Sequence, residues 1–166
     1  MNLSIIGTGY VGLVTGVCFA KLGHHVTCVD IDQEKIRKIN NGVSPIFEEG
    51  LDSLLLTYKD KIMATADYSS ALQKSDITFL CVGTPSLKNG TIDLSYLKEA
   101  TKQIATILKN KNSWHLVVVK STVLPGTTEN IVLPLLEQYS GKKVNRYWTS
   151  YEPRVPQGRS RDKRLP

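Results

Sequence analysis

Apolar runs of four to six residues alternate with helix-periodic segments along most of the 166-residue chain. A glycine-rich turn joins the first run to the first helical segment, and an aspartate closes the second run. These three observations predict a doubly wound α/β domain on a parallel sheet. Strands covered on both faces read as unbroken apolar runs, and parallel strands need helical crossovers between them.

The elements follow in order. Leu3–Ile6 is a short apolar strand closed by Gly7, and Val11–Leu22 carries small and apolar residues at helical spacing until Gly23. His25–Val29 is a strand stopped by Asp30, and Gln33–Asn41 a helix ended by Gly42. The stretch Val43–Gly50, with Pro45, is irregular. Leu51–Lys59 is amphipathic, Ile62–Ala66 a strand, and Tyr68–Lys74 a short helix. Ile77–Val82 is a continuous apolar strand opening into the loop Gly83–Asp93. Leu94–Leu108 is a long amphipathic helix, His115–Val119 a buried strand, and Thr127–Tyr139 a helix entered after Pro125-Gly126. No repeat or low-complexity block interrupts the series.

Composition supports a globular reading. Hydrophobic residues are 41% and charged residues 22% of the chain, which excludes collagen-like, coiled-coil and wholly disordered classes. No apolar run nears the roughly 18 residues of a membrane span, and the N-terminus lacks a secretory pattern. No membrane association is expected. Cys18, Cys28 and Cys81 are widely spaced and sit in apolar segments. They are expected as reduced, packed thiols of a cytoplasmic protein, with no disulfide frame and no metal site. Trp114 is expected to pack, and His24-His25 to lie at a surface turn.

The turn Gly7-Thr8-Gly9-Tyr10-Val11-Gly12 is G-x-G-x-x-G between a strand and a helix. The first glycine permits the tight turn, the second lets backbone approach a pyrophosphate, and the third lets helix and strand pack closely. The helix N-terminus adds free N–H groups and positive dipole. Asp30 stands 18 residues after Gly12, at the end of the second strand. A carboxylate there accepts from adenosine ribose hydroxyls and repels a 2′-phosphate, so NAD is favoured over NADP. Lys35, one turn into the next helix, reaches toward the same ribose.

Four segments in order resemble the UDP-glucose/GDP-mannose dehydrogenase family. They are Gly7–Gly16, the run Asn40-Asn41-Gly42-Val43-Ser44-Pro45-Ile46-Phe47-Glu48-Glu49-Gly50-Leu51, the loop Cys81-Val82-Gly83-Thr84-Pro85 with Gly90 and Asp93–Leu97, and Lys120-Ser121-Thr122-Val123-Leu124-Pro125-Gly126-Thr127-Thr128. The resemblance spans residues 1 to about 130 and implies a Rossmann-type NAD-binding domain. It implies oxidation of a nucleotide-sugar C6 alcohol to a carboxylate with two NAD reduced, and its UDP-glucose branch, forming UDP-glucuronate for polysaccharide biosynthesis, is the expectation. It also implies that Val11, Asp30, Lys35, Thr84 and Thr122 line the NAD site, and that the Thr122 hydroxyl helps hold a water near the reacting carbon. Thr84 and Thr122 both follow C-terminal strand ends, where ligands of open α/β sheets sit. Two other classes stay in view: a non-catalytic NAD-sensing module and a fragment of a β-hydroxyacid-type dehydrogenase.

The C-terminal stretch departs from the family. Residues 1–141 hold 13 basic and 13 acidic residues, while 142–166 hold 8 and 2, which supplies the whole net charge of +6. Where the family has N-P-E-F-L-[RK]-E-G, the chain reads Glu152-Pro153-Arg154-Val155-Pro156-Gln157-Gly158-Arg159. Read from the second base of each codon, that run is compatible with N-P-E-F-L-K-E-G. The expectation is therefore a dinucleotide-binding domain over 1–141 and a basic tail over 142–166. The tail, a frame slip between about Gly141 and Trp148, replaces the sixth strand and the catalytic glutamate motif. Aromatics do not interleave with the tail's basic residues, so no nucleic-acid partner is expected. The substrate domain and its nucleophile are absent from this sequence, so the chain alone is expected to bind NAD without oxidising sugar. A homodimer is expected only where the family's central region is present.

Overall fold

The computed structural model describes residues 1–143 and the backbone of residues 149–151. Among the described residues six strands, β1 (Asn2–Ile6), β2 (His25–Val29), β3 (Ile62–Thr65), β4 (Ile77–Leu80), β5 (Leu116–Val119) and β6 (Thr149–Tyr151), pair in the order β3-β2-β1-β4-β5-β6. Every pairing is parallel, with Ile5 opposite Cys28 on one side and Phe79 on the other. This is the strand order of dinucleotide-binding sheets.

Six α-helices among the described residues cross over: α1 (Tyr10–Lys21), α2 (Gln33–Asn40), α3 (Leu51–Thr57), α4 (Tyr68–Lys74), α5 (Ser95–Lys109) and α6 (Leu133–Ser140). The period-two alternation of the strands divides the core. Leu3, Ile5, Val26 and Cys28 meet Leu13, Val17, Ile39 and Leu55 from α1, α2 and α3. Ile6, Val29, Leu80 and Val119 meet Leu72, Leu97, Ile104 and Leu136 from α4, α5 and α6. Each fully buried Leu or Ile contributes roughly 1.5–3 kcal/mol relative to exposure, so the two faces stabilise the sheet from both sides. Asp32 caps α2 by accepting from the Glu34 and Lys35 N–H groups, and Asp67 caps α4 through Ser69.

Several expectations change. The last helix is not uniform: Thr128–Val132 is a π turn before α6 begins. Pro134, in the first turn of α6, has no N–H to give back to the preceding turn, and a widened turn accommodates its ring. Cys18 is exposed, because Leu13, Gly16, Val17 and Ala20 set the buried face of α1 and residue 18 points off it. Trp114 is 54% exposed rather than packed.

The boundary after Gly141 also differs from the sequence reading, which put a tail in place of a sixth strand. The Lys142 ammonium donates to the Leu108 and Lys111 carbonyls, at and just beyond the C-terminal end of α5. Residues 149–151 pair with β5 as β6; the aromatic and hydroxylated run Tyr147–Tyr151 is strand-favouring whatever frame encodes it. The run 152–159 and the rest of the basic segment lie outside the described residues.

Candidate functional site

β1 and β4 lie side by side, and the chain leaves their C-terminal ends toward opposite faces, into α1 and α5. Ligands of open α/β sheets bind at such a switch point. A cavity of about 920 Å³ opens there, within the roughly 300–1,000 Å³ span of cofactor and ligand sites. Eight of the nine candidate residues border it, and only Gly12 does not.

The glycine turn is shaped by its neighbours. Gly7 has φ +97°, and a Cβ there would lie 2.7 Å from the Cys81 carbonyl oxygen. Its N–H donates to the Val29 carbonyl at 2.8 Å, which straps the turn to β2. A Cβ on Gly12 would lie 1.9 Å from the Gly7 carbonyl oxygen, so Gly12 acts through packing beneath the turn. At Gly9 a Cβ would meet nothing within 4 Å, and the residue borders the cavity. Gly9 caps α1 without a side chain, and the first turn carries no acidic residue. The first-turn N–H groups therefore keep their anion-binding capacity beside open space. Tyr10 reaches sideways, its hydroxyl donating to the Phe47 carbonyl at 2.8 Å, and ties the turn to the Val43–Gly50 stretch.

Asp30 holds the β2 end of the cavity. Its Oδ2 accepts from the Thr8 N–H at 2.8 Å and from the Thr8 hydroxyl, and its Oδ1 accepts from the Asp32 N–H at 3.1 Å. The Lys35 ammonium stands 3.9 Å from Oδ2. Burial pushes the Asp30 carboxyl up, but the hydrogen bonds from Thr8 and Asp32 and the Lys35 charge outweigh it and hold the group below its ordinary value. Asp30 is thus an ionised acceptor with lone-pair capacity remaining on Oδ1.

On the other side, the Thr84 hydroxyl donates to the Thr122 carbonyl at 2.6 Å, joining the loops that follow β4 and β5. The Thr84 proton is therefore committed in this arrangement, leaving its oxygen as an acceptor. The buried Ser121 hydroxyl donates to the Val82 carbonyl at 2.7 Å and reinforces the junction. Cys81 is buried beneath it. Burial first, then the neighbouring Cys81 and Asp30, push the Cys28 thiol up to about 12, so it stays protonated.

Sequence reasoning passed over Thr8, Tyr68, Glu99 and Gln103, which also border the cavity. Glu99 and Gln103 carry a readable signal, because i,i+4 spacing puts both on one face of α5, where Gln103 Nε2 donates to Glu99 Oε1 at 3.2 Å. Tyr68 stays protonated as well, pushed up to about 12 by burial and then by Asp30 and Glu99. Among the described residues no group of three or more His, Cys, Asp or Glu side chains is placed to hold a metal ion. Nor is any helix among them long and apolar enough to cross a membrane.

An open second glycine, an uncapped helix start and an ionised acceptor at the end of β2 fit a dinucleotide. Comparison with known proteins agrees: residues 1–155 match the model of the UDP-glucose/GDP-mannose dehydrogenase family, NAD binding domain. The chain belongs to this family. GDP-mannose 6-dehydrogenase of Pseudomonas syringae pv. tomato is 48% identical over 146 residues, covering 87% of this chain and 33% of that protein. UDP-glucose 6-dehydrogenase of Haloferax volcanii is 47% identical over 145 residues, 87% of this chain and 34% of that one. The crystal structure of GDP-mannose dehydrogenase from Pseudomonas aeruginosa, a ternary complex, superposes with a TM-score of 0.91 at 44% identity. It covers 93% of this chain and 36% of the other. The chain thus spans about one third of the length of the curated relatives it matches. Within the family it is the NAD-binding domain, a Rossmann-like parallel sheet flanked by helices.

Proposed function

We propose that this domain holds NAD for the oxidation of a nucleotide-sugar C6 alcohol to a carboxylate, with UDP-glucose as the substrate and two NAD reduced. The observation that carries the cofactor part is that open Gly9, ionised Asp30 and the Thr84–Thr122 junction border one cavity. Gly9 and the first-turn N–H groups of α1 would hold the pyrophosphate, Asp30 and Lys35 the adenosine ribose. Thr84 and Thr122 would meet the nicotinamide half. When bound, NAD accepts the hydride. Thr122, exposed at the cavity rim, is assigned the supporting role of holding a water near the reacting carbon through its hydroxyl.

A second substrate reading, GDP-mannose, rests on its dehydrogenases, which reach 48% identity beside 47% for a UDP-glucose enzyme. That near-equality concerns the cofactor domain. The chain alone is proposed to bind NAD and to leave the sugar unoxidised. The frame reading of the C-terminal stretch is kept as part of the proposal, with the slip between about Gly141 and Trp148. Resequencing the source DNA across codons 140–166 and beyond tests it. A one-base change opening N-P-E-F-L-K-E-G is expected, and an unbroken original frame would remove it. The protein from the restored frame, assayed for NADH formation with UDP-glucose and GDP-mannose separately, decides the substrate. Turnover of neither would overturn the dehydrogenase reading.

A further inference from the structure

Thr8 is fully buried, and both of its donors, the backbone N–H and the hydroxyl, converge on one oxygen of Asp30. We propose that Thr8 is a positioning residue that fixes the Asp30 carboxylate toward the cofactor and thereby sets this domain's preference for a free ribose 2′-hydroxyl over a 2′-phosphate. The proposal rests on the cofactor reading above and extends it to a residue that does not touch the ribose.

Hydrogen-bond capacity decides which carboxylate oxygen the cavity sees. An ionised carboxylate offers about four lone-pair sites on two oxygens. Thr8 fills Oδ2 from beneath the turn, with the Lys35 ammonium 3.9 Å away on the same atom. Oδ1 accepts a single bond from the Asp32 N–H, so its remaining capacity is what the cavity sees. Two bonds from Thr8 also stop the carboxylate from rotating about its own axis. A carboxylate so held cannot swing away from an incoming phosphate, nor easily take up a proton and become a donor to it. Removing the Thr8 hydroxyl loosens both constraints and leaves only backbone N–H groups on the two oxygens.

The other groups facing Asp30 do not do this work. Lys35 attracts either a carboxylate or a phosphate, while Tyr68 and Cys28 stay protonated and carry no charge. The backbone N–H of residue 8 is independent of side-chain identity. The discriminating element is therefore the hydroxyl.

The test compares the 166-residue chain with Thr8→Val, which keeps the shape and loses the donor, and Thr8→Ser, which restores it. Calorimetric titration with NAD and NADP is run across pH, with the fold followed by circular dichroism at each point. Thr8→Val is expected to lose about tenfold in NAD affinity. Its NAD-to-NADP preference should fall by a similar factor, and the acid limb of NAD binding should move to higher pH. Thr8→Ser is expected to return all three toward wild type, which a purely packing role for the methyl group would not do. A Thr8→Val chain with wild-type preference and acid limb overturns the proposal. If Thr8→Val does not fold, Thr8→Ala, which loses the same hydroxyl, takes its place in the same titrations. A Thr8→Ala chain with wild-type preference and acid limb overturns the proposal, and one that loses both sustains it. A wild-type chain that binds neither nucleotide is a separate outcome, which removes the cofactor reading and this proposal with it.

Discussion

The two ends of the same sheet treat polar groups in opposite ways. At the C-terminal end, Gly9, Asp30, Thr84 and Thr122 border open space, and part of their hydrogen-bonding capacity faces the cavity. At the N-terminal end, Ser4, Ser75, Thr78 and His115 are sealed inside. Ser4 Oγ lies 2.6 Å from Thr78 Oγ1 and 3.1 Å from Ser75 Oγ, and Thr78 Oγ1 lies 2.7 Å from His115 Nε2. The Lys111 ammonium donates to the Leu72 carbonyl at 2.7 Å and to the Ser75 carbonyl, closing the C-terminal end of α4, and sits 3.1 Å from His115 Nδ1. One end keeps acceptors and donors in reserve for a ligand; the other spends them on the fold. Satisfied buried networks rigidify a core, whereas reserved capacity is a signature of binding.

Perturbations at the two ends should therefore separate stability from affinity. Gly12→Ala has the largest expected effect, because its Cβ would lie 1.9 Å from the backbone oxygen of Gly7. Chemical denaturation should show a loss of about 3 kcal/mol or more, and NAD binding should fall with the fold. Next is the closed end. Burial, then the Lys111 charge, hold His115 down at about 4 against its ordinary 6.5, with the Ser75 carbonyl and Asp76 acting weakly the other way. The unfolded chain therefore binds the extra proton first. Stability contributed by neutral His115 is complete above pH 6.5 and is lost as pH falls toward 4, by roughly 3 kcal/mol in all. Denaturation across that window should show the slope, and His115→Asn should flatten it. Gly9→Ala reverses the first experiment: its Cβ meets nothing within 4 Å, so the melting temperature should barely move while NAD affinity drops about tenfold or more. The smallest effect is expected of Lys35→Ala, whose ion pair spans 3.9 Å and is partly exposed. Stability should change by no more than about 0.5 kcal/mol, with NAD affinity down about two- to fivefold.

The C-terminal end was the more legible of the two in the sequence. Strand-closing residues such as Gly7 and Asp30 and the loops after Val82 and Lys120 are local signals, because a βαβ unit places every strand terminus at a known edge. The sealed end has no such grammar. His115 reads as the start of an apolar strand, and its partners Ser75, Thr78 and Lys111 come from three separate segments. Thr8 was hidden for the same reason. It occupies a variable position of the glycine motif, and only the fold brings Asp30 to it across 22 residues. The π turn at Thr128–Val132 was announced by Pro134, but a proline near a helix start reads first as an ordinary N-terminal proline. Lys142 shows the converse: it heads a charge run, yet its ammonium donates to the Leu108 carbonyl in the last turn of α5.

The central claim is that reserved capacity at one sheet end holds NAD. Titrating NAD into the isotope-labelled chain and following the amide resonances tests it directly. Saturable shifts are expected at residues 7–12, 30–35, 82–84 and 120–122, with Ser75, Thr78 and His115 unmoved. No saturable shift, or shifts centred on the His115 network, would contradict the account.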